Sequence, residues 1–116
     1  MKIKLPKGFK AYGMHCGLKK KRKDLALFYS EKSAKCAALF TTNLVKAAPV
    51  IFCQSQLNKT NLIRAVIVNS GNANCMTGKR GLKDAKTMVK ELAKVMRLPE
   101  KGILVSSTGV IGKPLN

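Results

Sequence analysis

Acidic residues are scarce in this chain: 5 Asp and Glu stand against 23 Lys and Arg, for a formal net charge of +18. There is no tryptophan, and His15 is the one histidine. A single histidine excludes a multi-histidine metal centre and a spread His–Asp relay within these residues. His15 adjoins Cys16, but sequence neighbours rarely meet as base and nucleophile, so His15 reads as a packing residue. The carboxylates Asp24, Glu31, Asp84, Glu91 and Glu100 show no paired spacing for acid–base work. Asp84 and Glu91 fall among helical lysines and are expected to support that helix. Cys16, Cys36, Cys53 and Cys75 form no CxxC pair, which argues against a metal knuckle, a redox motif or a disulfide scaffold. They read as reduced, mostly buried thiols of a cytoplasmic protein. No stretch approaches the roughly 18 apolar residues of a membrane span. Lys2, Lys4 and Lys7 precede no apolar segment of the secretory kind.

The positive charge admits two readings. A strongly basic chain suits a nucleic-acid binder, because neutralising phosphates releases counterions. Yet nearly all of it is lysine, with only Arg22, Arg64, Arg80 and Arg97 to grip phosphates or bases in two-pronged fashion. The one dense cluster, Lys19–Lys23 (KKKRK), contains no aromatic residue to stack on bases. A solvated surface that steers anionic partners accounts for the composition better.

At 116 residues the chain holds one core rather than two domains, and no repeat or low-complexity linker divides it. Residues Met1–Gly17 read as an irregular lead-in or edge strand. Asp24–Ser30 is a strand, Glu31–Lys35 a turn and Cys36–Thr42 its hairpin partner. Ala48–Leu57 fits a short helix with Pro49 in its first turn. After a turn at Asn58–Asn61, Leu62–Val68 reads as a buried strand. From Gly81 to Arg97 apolar residues recur in steps of three and four: Leu82, Ala85, Met88, Val89, Leu92, Val95 and Met96. That stripe predicts a helix with Lys83, Lys86, Lys90 and Lys94 toward water. Pro99 ends it, and Ile103–Ser107 opens another strand. A long helix between two apolar strands is a βαβ crossover, so the fold class is mixed α/β with a partly parallel sheet.

Both of those strands empty into small, polar, glycine-bearing segments, Asn69–Asn74 (NSGNAN) and Ser106–Gly112 (STGVIG from Ser107). Such segments bring backbone N–H groups close to a ligand. NSGNAN is equally consistent with a plain turn, and it lacks the GxxxxGK[ST] spacing of a P-loop. Thr108 and Gly109 are more pointed. A hydroxyl and the next residue's N–H aimed at one oxygen form the smallest oxyanion hole, against which stands an ordinary strand-end turn.

The series Pro6–Phe9 (PKGF), Asp24–Leu27 (DLAL), Phe40–Asn43 (FTTN), Ala47–Val50 (AAPV), Arg64–Asn74 (RAVIVNSGNAN), Thr77–Gly78 and Ser107–Gly112 (STGVIG) runs the length of the chain. In that order it resembles the N-terminal portion of the ornithine acetyltransferase (glutamate N-acetyltransferase) family of arginine biosynthesis. FTTN, NSGNAN and STGVIG together are specific. Cys75–Met76 departs from the family's more frequent Ala-Cys and reads as packing variation. The resemblance implies an α-β-β-α sandwich and ping-pong transfer of acetyl from N-acetylornithine to glutamate. It implies no bound cofactor, with acetyl-CoA as an additional donor in some members. A self-cleaved second chain would supply a nucleophilic threonine, giving an assembly of α and β chains. By the same resemblance Thr108 and Gly109 are the catalytic oxyanion donors. On this reading residues 1–116 are a single N-terminal fragment, inactive alone, whose sandwich is completed by C-terminal residues. The competing readings are a basic nucleic-acid-binding domain and an inactive scaffold paralogue.

Overall fold

A computed structural model of the chain describes residues 4–116; Lys2 and the start of the lead-in lie outside them. The elements run β1 (Phe9–Met14), β2 (Leu25–Lys35), α1 (Ala48–Lys59), β3 (Leu62–Asn72), α2 (Gly78–Met96), a 3-10 turn (Glu100–Gly102) and β4 (Ile103–Val110). Among the described residues the strands form one sheet in the order β1-β2-β3-β4. β1–β2 and β2–β3 pair antiparallel, whereas β3 and β4, joined through α2, pair parallel. The sheet is therefore mixed, as the βαβ pattern requires.

Alternation along β3 decides where the core lies. Ile63, Ala65, Ile67 and Asn69 are buried on one face, while Arg64, Val66, Val68 and Ser70 are half-buried on the other. Ile103 and Val105 of β4 join the first face opposite Ala65 and Ile67. Cys53 of α1 and Ala85, Val89 and Ala93 of α2 close the cluster. Gly81, Ala85, Val89 and Ala93 make a small-residue row at i, i+4 spacing, which lets α2 lie close to the sheet. Met88 and Leu92 flank that row. Val95, assigned to the apolar stripe from its spacing, is instead 78% exposed. Arg97 adopts a left-handed conformation (φ 53°), and the Leu98 N–H donates to the Ala93 carbonyl at 3.0 Å, so α2 ends in a Schellman motif followed by Pro99. Asp84 and Glu91 pair with Arg80 and Lys94 along this helix, as expected.

Three expectations for the N-terminal half and the connections are corrected. Glu31–Lys35 is not a turn but the continuation of β2, which resumes pairing at Ala34↔Ile63 after an irregularity past Tyr29. Cys36–Thr42 is not a hairpin partner; it is irregular, and β2 pairs with β1 and β3 instead. The polar turn at Asn58–Asn61 begins later than expected, because α1 runs through Lys59. The cysteines also differ from the expectation of mostly buried thiols. All four are free, but only Cys53 is buried; Cys16 is exposed and Cys36 and Cys75 are intermediate. No helix among the described residues is long and apolar enough to cross a membrane.

Candidate functional site at the ends of the parallel strands

In open α/β sheets ligands gather at the carboxyl ends of parallel strands. Here both strands run further than their apolar stretches. Asn69–Asn72 of the NSGNAN motif belong to β3, and Thr108 and Gly109 lie inside β4 rather than in a turn after it. The pairs Asn69↔Ser107, Ser70↔Thr108 and Gly71↔Gly109 bring the two motifs side by side. The register then slips, with Asn72 opposite both Thr108 and Val110.

The asparagine amides are spent internally. Asn69, 1% exposed, accepts from the Ser107 hydroxyl at Oδ1 (2.5 Å) and donates from Nδ2 to the Asn72 carbonyl (2.8 Å). Asn72 Nδ2 donates to the Lys113 and Pro114 carbonyls (3.0 and 3.1 Å), and its Oδ1 accepts the Asn74 N–H (2.8 Å). Asn74 Nδ2 donates to the Gly81 carbonyl, Oδ1 accepts from the Thr77 hydroxyl, and its carbonyl accepts the Ala48 N–H at the start of α1. Buried amides satisfied in this way fix backbone rather than meet ligand. The same crowding explains Gly81: a Cβ there would stand 1.9 Å from Thr77 Oγ1.

Gly109 is required for two reasons. Its φ is +130°, a region few side chains tolerate, and a Cβ would sit 2.4 Å from the Gly71 carbonyl carbon. Strand parity then decides where its N–H points. In a parallel ladder both backbone groups of one residue face the same neighbour, alternating along the strand. Val105 spends both on α1: its N–H donates to Cys53 Sγ (3.4 Å) and its carbonyl accepts from the Cys53 thiol (3.1 Å). Gln56 Nε2 likewise donates to the Ile103 carbonyl (3.2 Å). The Val110 carbonyl, of opposite parity, accepts the Ala73 N–H from the β3 side (2.9 Å). Odd-numbered residues of β4 therefore direct their backbone groups to the outer edge. α1 covers that edge as far as Val105; further on it carries the N–H groups of Ser107 and Gly109. Thr108 is exposed, on the sheet face opposite Asn69 and Ser107. The Thr108 side chain on that face and the Gly109 amide on the edge are thus neighbours at one exposed end of the sheet.

Charge borders this corner. Asp24 is buried, and its carboxylate accepts the N–H groups of Cys16 (2.6 Å) and Lys19 (2.8 Å). Burial opposes its ionisation, but those backbone donors prevail and hold its pKa far below the usual carboxylate range. The clamp folds the Cys16–Lys23 segment back over β3, where a Cβ on Gly71 would lie 3.2 Å from Lys19 Cγ. Lys19 at the head of the basic cluster is thereby held beside β3, whereas Lys23 at its other end lies against Gly13 of β1. His15 donates from Nε2 to the Lys19 carbonyl (2.6 Å), but it is exposed and so not the packing residue expected of it. On the buried side, desolvation pushes the Cys53 thiol up, so it stays protonated as a donor to Val105. No group of three or more His, Cys, Asp or Glu among the described residues is arranged to hold a metal ion.

Sequence reasoning singled out Thr108 and Gly109, and the fold brings them together with NSGNAN. It assigned no part to Ser107 or Asp24. Neither carries a spacing signal, because their partners lie 38 residues away for Ser107 and on backbone atoms for Asp24.

Comparison with known proteins supplies the family. The ArgJ family model matches residues 10–116. The arginine biosynthesis bifunctional protein ArgJ of Caldanaerobacter subterraneus subsp. tengcongensis is 54% identical over 114 residues, 98% of this chain and 28% of that protein. Its namesake from Thermotoga neapolitana is 49% identical over 112 residues, 96% of this chain and 28% of the relative. The chain therefore spans a little over a quarter of the curated relatives it matches. The crystal structure of ArgJ from Bacillus halodurans superposes with a TM-score of 0.91 at 49% identity, covering 94% of this chain and 57% of that one. Ornithine acetyltransferase from Mycobacterium tuberculosis, solved with ornithine, gives 0.88 at 39% identity, covering 95% and 60%. These findings do not favour a nucleic-acid-binding domain. With nearly all of its length matched in both sequence and fold, the chain belongs to the ArgJ family.

Proposed function

We propose that this chain is part of an acetyltransferase of arginine biosynthesis and supplies the oxyanion-stabilising corner of its active site. The relatives are named for arginine biosynthesis, and one of the solved neighbours is an ornithine acetyltransferase holding ornithine. What supports the reading is that Thr108 is exposed and adjoins Gly109, whose N–H falls at the outer edge of β4 by strand parity.

Acetyl transfer by an attacking hydroxyl proceeds through a tetrahedral carbon whose oxygen carries negative charge. In the proposed ping-pong route a threonine hydroxyl outside these residues attacks the acetyl carbonyl of N-acetylornithine. The C–N bond then breaks, ornithine takes up the proton and leaves, and the acetyl group remains on threonine. The amine of glutamate attacks that ester and restores the hydroxyl. Both tetrahedral stages place an oxyanion in the same position, so one pair of donors serves both. Thr108 Oγ and the Gly109 N–H are those donors. Acetyl-CoA would pass through the same corner as an alternative donor, its thiolate leaving in place of the amine; no resident cofactor is needed.

The open face of the sheet supports a partner layer. Phe28, 49% exposed, lies beside half-buried Val66 and Val68, a surface suited to a second β-layer of the full protein's sandwich. That layer, carried by a second chain in an αβ assembly, is where the nucleophile is proposed to reside.

The test is Thr108→Ala in the full-length protein. Loss of one oxyanion donor is expected to lower kcat about 100- to 1,000-fold while the fold is retained. Thr108→Ser, which keeps the hydroxyl, should recover most of the activity. Wild-type turnover in Thr108→Ala would remove the proposed role.

A further inference from the structure

We infer that Asn69 and Ser107 are positioning residues that set the aim of the Thr108–Gly109 donors without touching substrate; the inference rests on the oxyanion reading above. The end of β4 has reason to be loose. It is the edge strand of the sheet, and α1 supports its outer side only as far as Val105. Edge strands past their last packed residue are where local opening concentrates. Catalytic donors in such a place need another restraint.

The Asn69 amide supplies one. Oδ1 holds the Ser107 hydroxyl at 2.5 Å, fixing the residue immediately before Thr108. Nδ2 holds the Asn72 carbonyl at 2.8 Å, at the position where the β3–β4 register slips. A single buried side chain thus ties together the irregularity in β3 and the backbone leading into the donor pair. The tie also keeps Gly109 at its close approach to Gly71, where a Cβ would find only 2.4 Å. Both polar ends of Asn69 are engaged and the residue is 1% exposed, so it has no free group for a ligand. Its influence on chemistry must pass through Ser107.

Misplacing a catalytic group by about 1 Å can cost about 100-fold in rate. Losing the Ser107 hydroxyl alone should cost less, because the β3–β4 ladder remains. In the full-length protein Ser107→Ala is expected to lower kcat for acetyl transfer about tenfold, with KM for the acetyl donor within about twofold. Ser107→Thr, which keeps a hydroxyl for Asn69, should recover most of that loss. Asn69→Leu should reproduce the Ser107→Ala defect or exceed it. Where Asn69→Leu does not fold, half-exposed Ser107 still provides the test. The double variant Ser107→Ala/Thr108→Ala should fall short of the product of the single losses, because both act on one donor pair. A slow Thr108→Ala together with wild-type kcat in Ser107→Ala, or with a defect confined to Tm or KM, overturns the positioning role and leaves the oxyanion reading standing. A fast Thr108→Ala overturns the oxyanion reading, and the positioning role with it.

Discussion

The two halves of the sheet are built on different principles. β3, α2 and β4 form a parallel unit whose strands and helix bury Ile63, Ala65, Ile67, Val89, Ile103 and Val105 against one another. β1 is exposed along its whole length and is tied to β2 by its backbone ladder and surface pairs such as Lys10–Glu31 at 3.0 Å. Surface ion pairs of that kind contribute little. Stability therefore resides in the half that carries the candidate site, while the β1–β2 half shapes its border through the Asp24-anchored basic loop. The two donors ride on the densely packed half but lie beyond its last packed residue of β4, Val105.

The sharpest way to break this contrast is to empty the core of the parallel half. Ile103 is 0% exposed, and Ile103→Ala should cost about 3 kcal/mol in thermal or denaturant unfolding. Phe9→Ala in β1, where the ring is 45% exposed, should cost less than about 1 kcal/mol. Equal losses would remove the asymmetry between the halves.

A second variant probes the junction of β3 and α2. Gly81→Ala places a methyl group against Thr77 and the Asn74 side chain, whose Oδ1 would lie 2.6 Å away. The helix-propensity gain of alanine, about 1 kcal/mol, should be outweighed, giving net destabilisation by about 1–3 kcal/mol. A Gly81→Ala protein more stable than wild type would show that this junction relaxes freely.

The smallest effect concerns the border loop and pH. The folded-state pKa of Asp24 is depressed, so its contribution to stability is fully present above the ordinary carboxylate value of about 4. As pH falls below that value, toward the depressed folded value, the contribution is lost. Asp24→Asn should therefore lower Tm by several degrees at neutral pH, and the gap to wild type should narrow in acid. A gap independent of pH would mean that the clamp does not depend on the carboxylate's charge.

Much of this architecture was legible in the residues. The three-and-four spacing of α2 and the apolar runs of β3 and β4 gave the parallel crossover, and Pro49 marked the start of α1. What escaped the sequence shares one cause. Thr108–Val110 and Asn69–Asn72 are rich in small and polar residues, the composition of loops, yet they continue strands because polar groups around them find partners across the β3–β4 ladder and in the turn beyond it. Glu31–Lys35 likewise looks like a turn because both of its faces are largely solvated, which a strand at the sheet's open end tolerates. At the site, Thr108 and Gly109 could be named from the motif. That the Gly109 N–H faces the outer edge could not, because parity is fixed by what Cys53 and Gln56 of α1 do to Val105 and Ile103.

The most direct test is the affinity of the full-length protein for a phosphonate that mimics the tetrahedral stage of acetyl transfer, measured in wild type and Thr108→Ala. If the edge of β4 holds the oxyanion, the variant should bind the phosphonate about 100-fold more weakly while binding the planar acetyl substrate almost as before. Equal affinity of both proteins for the phosphonate would contradict the account.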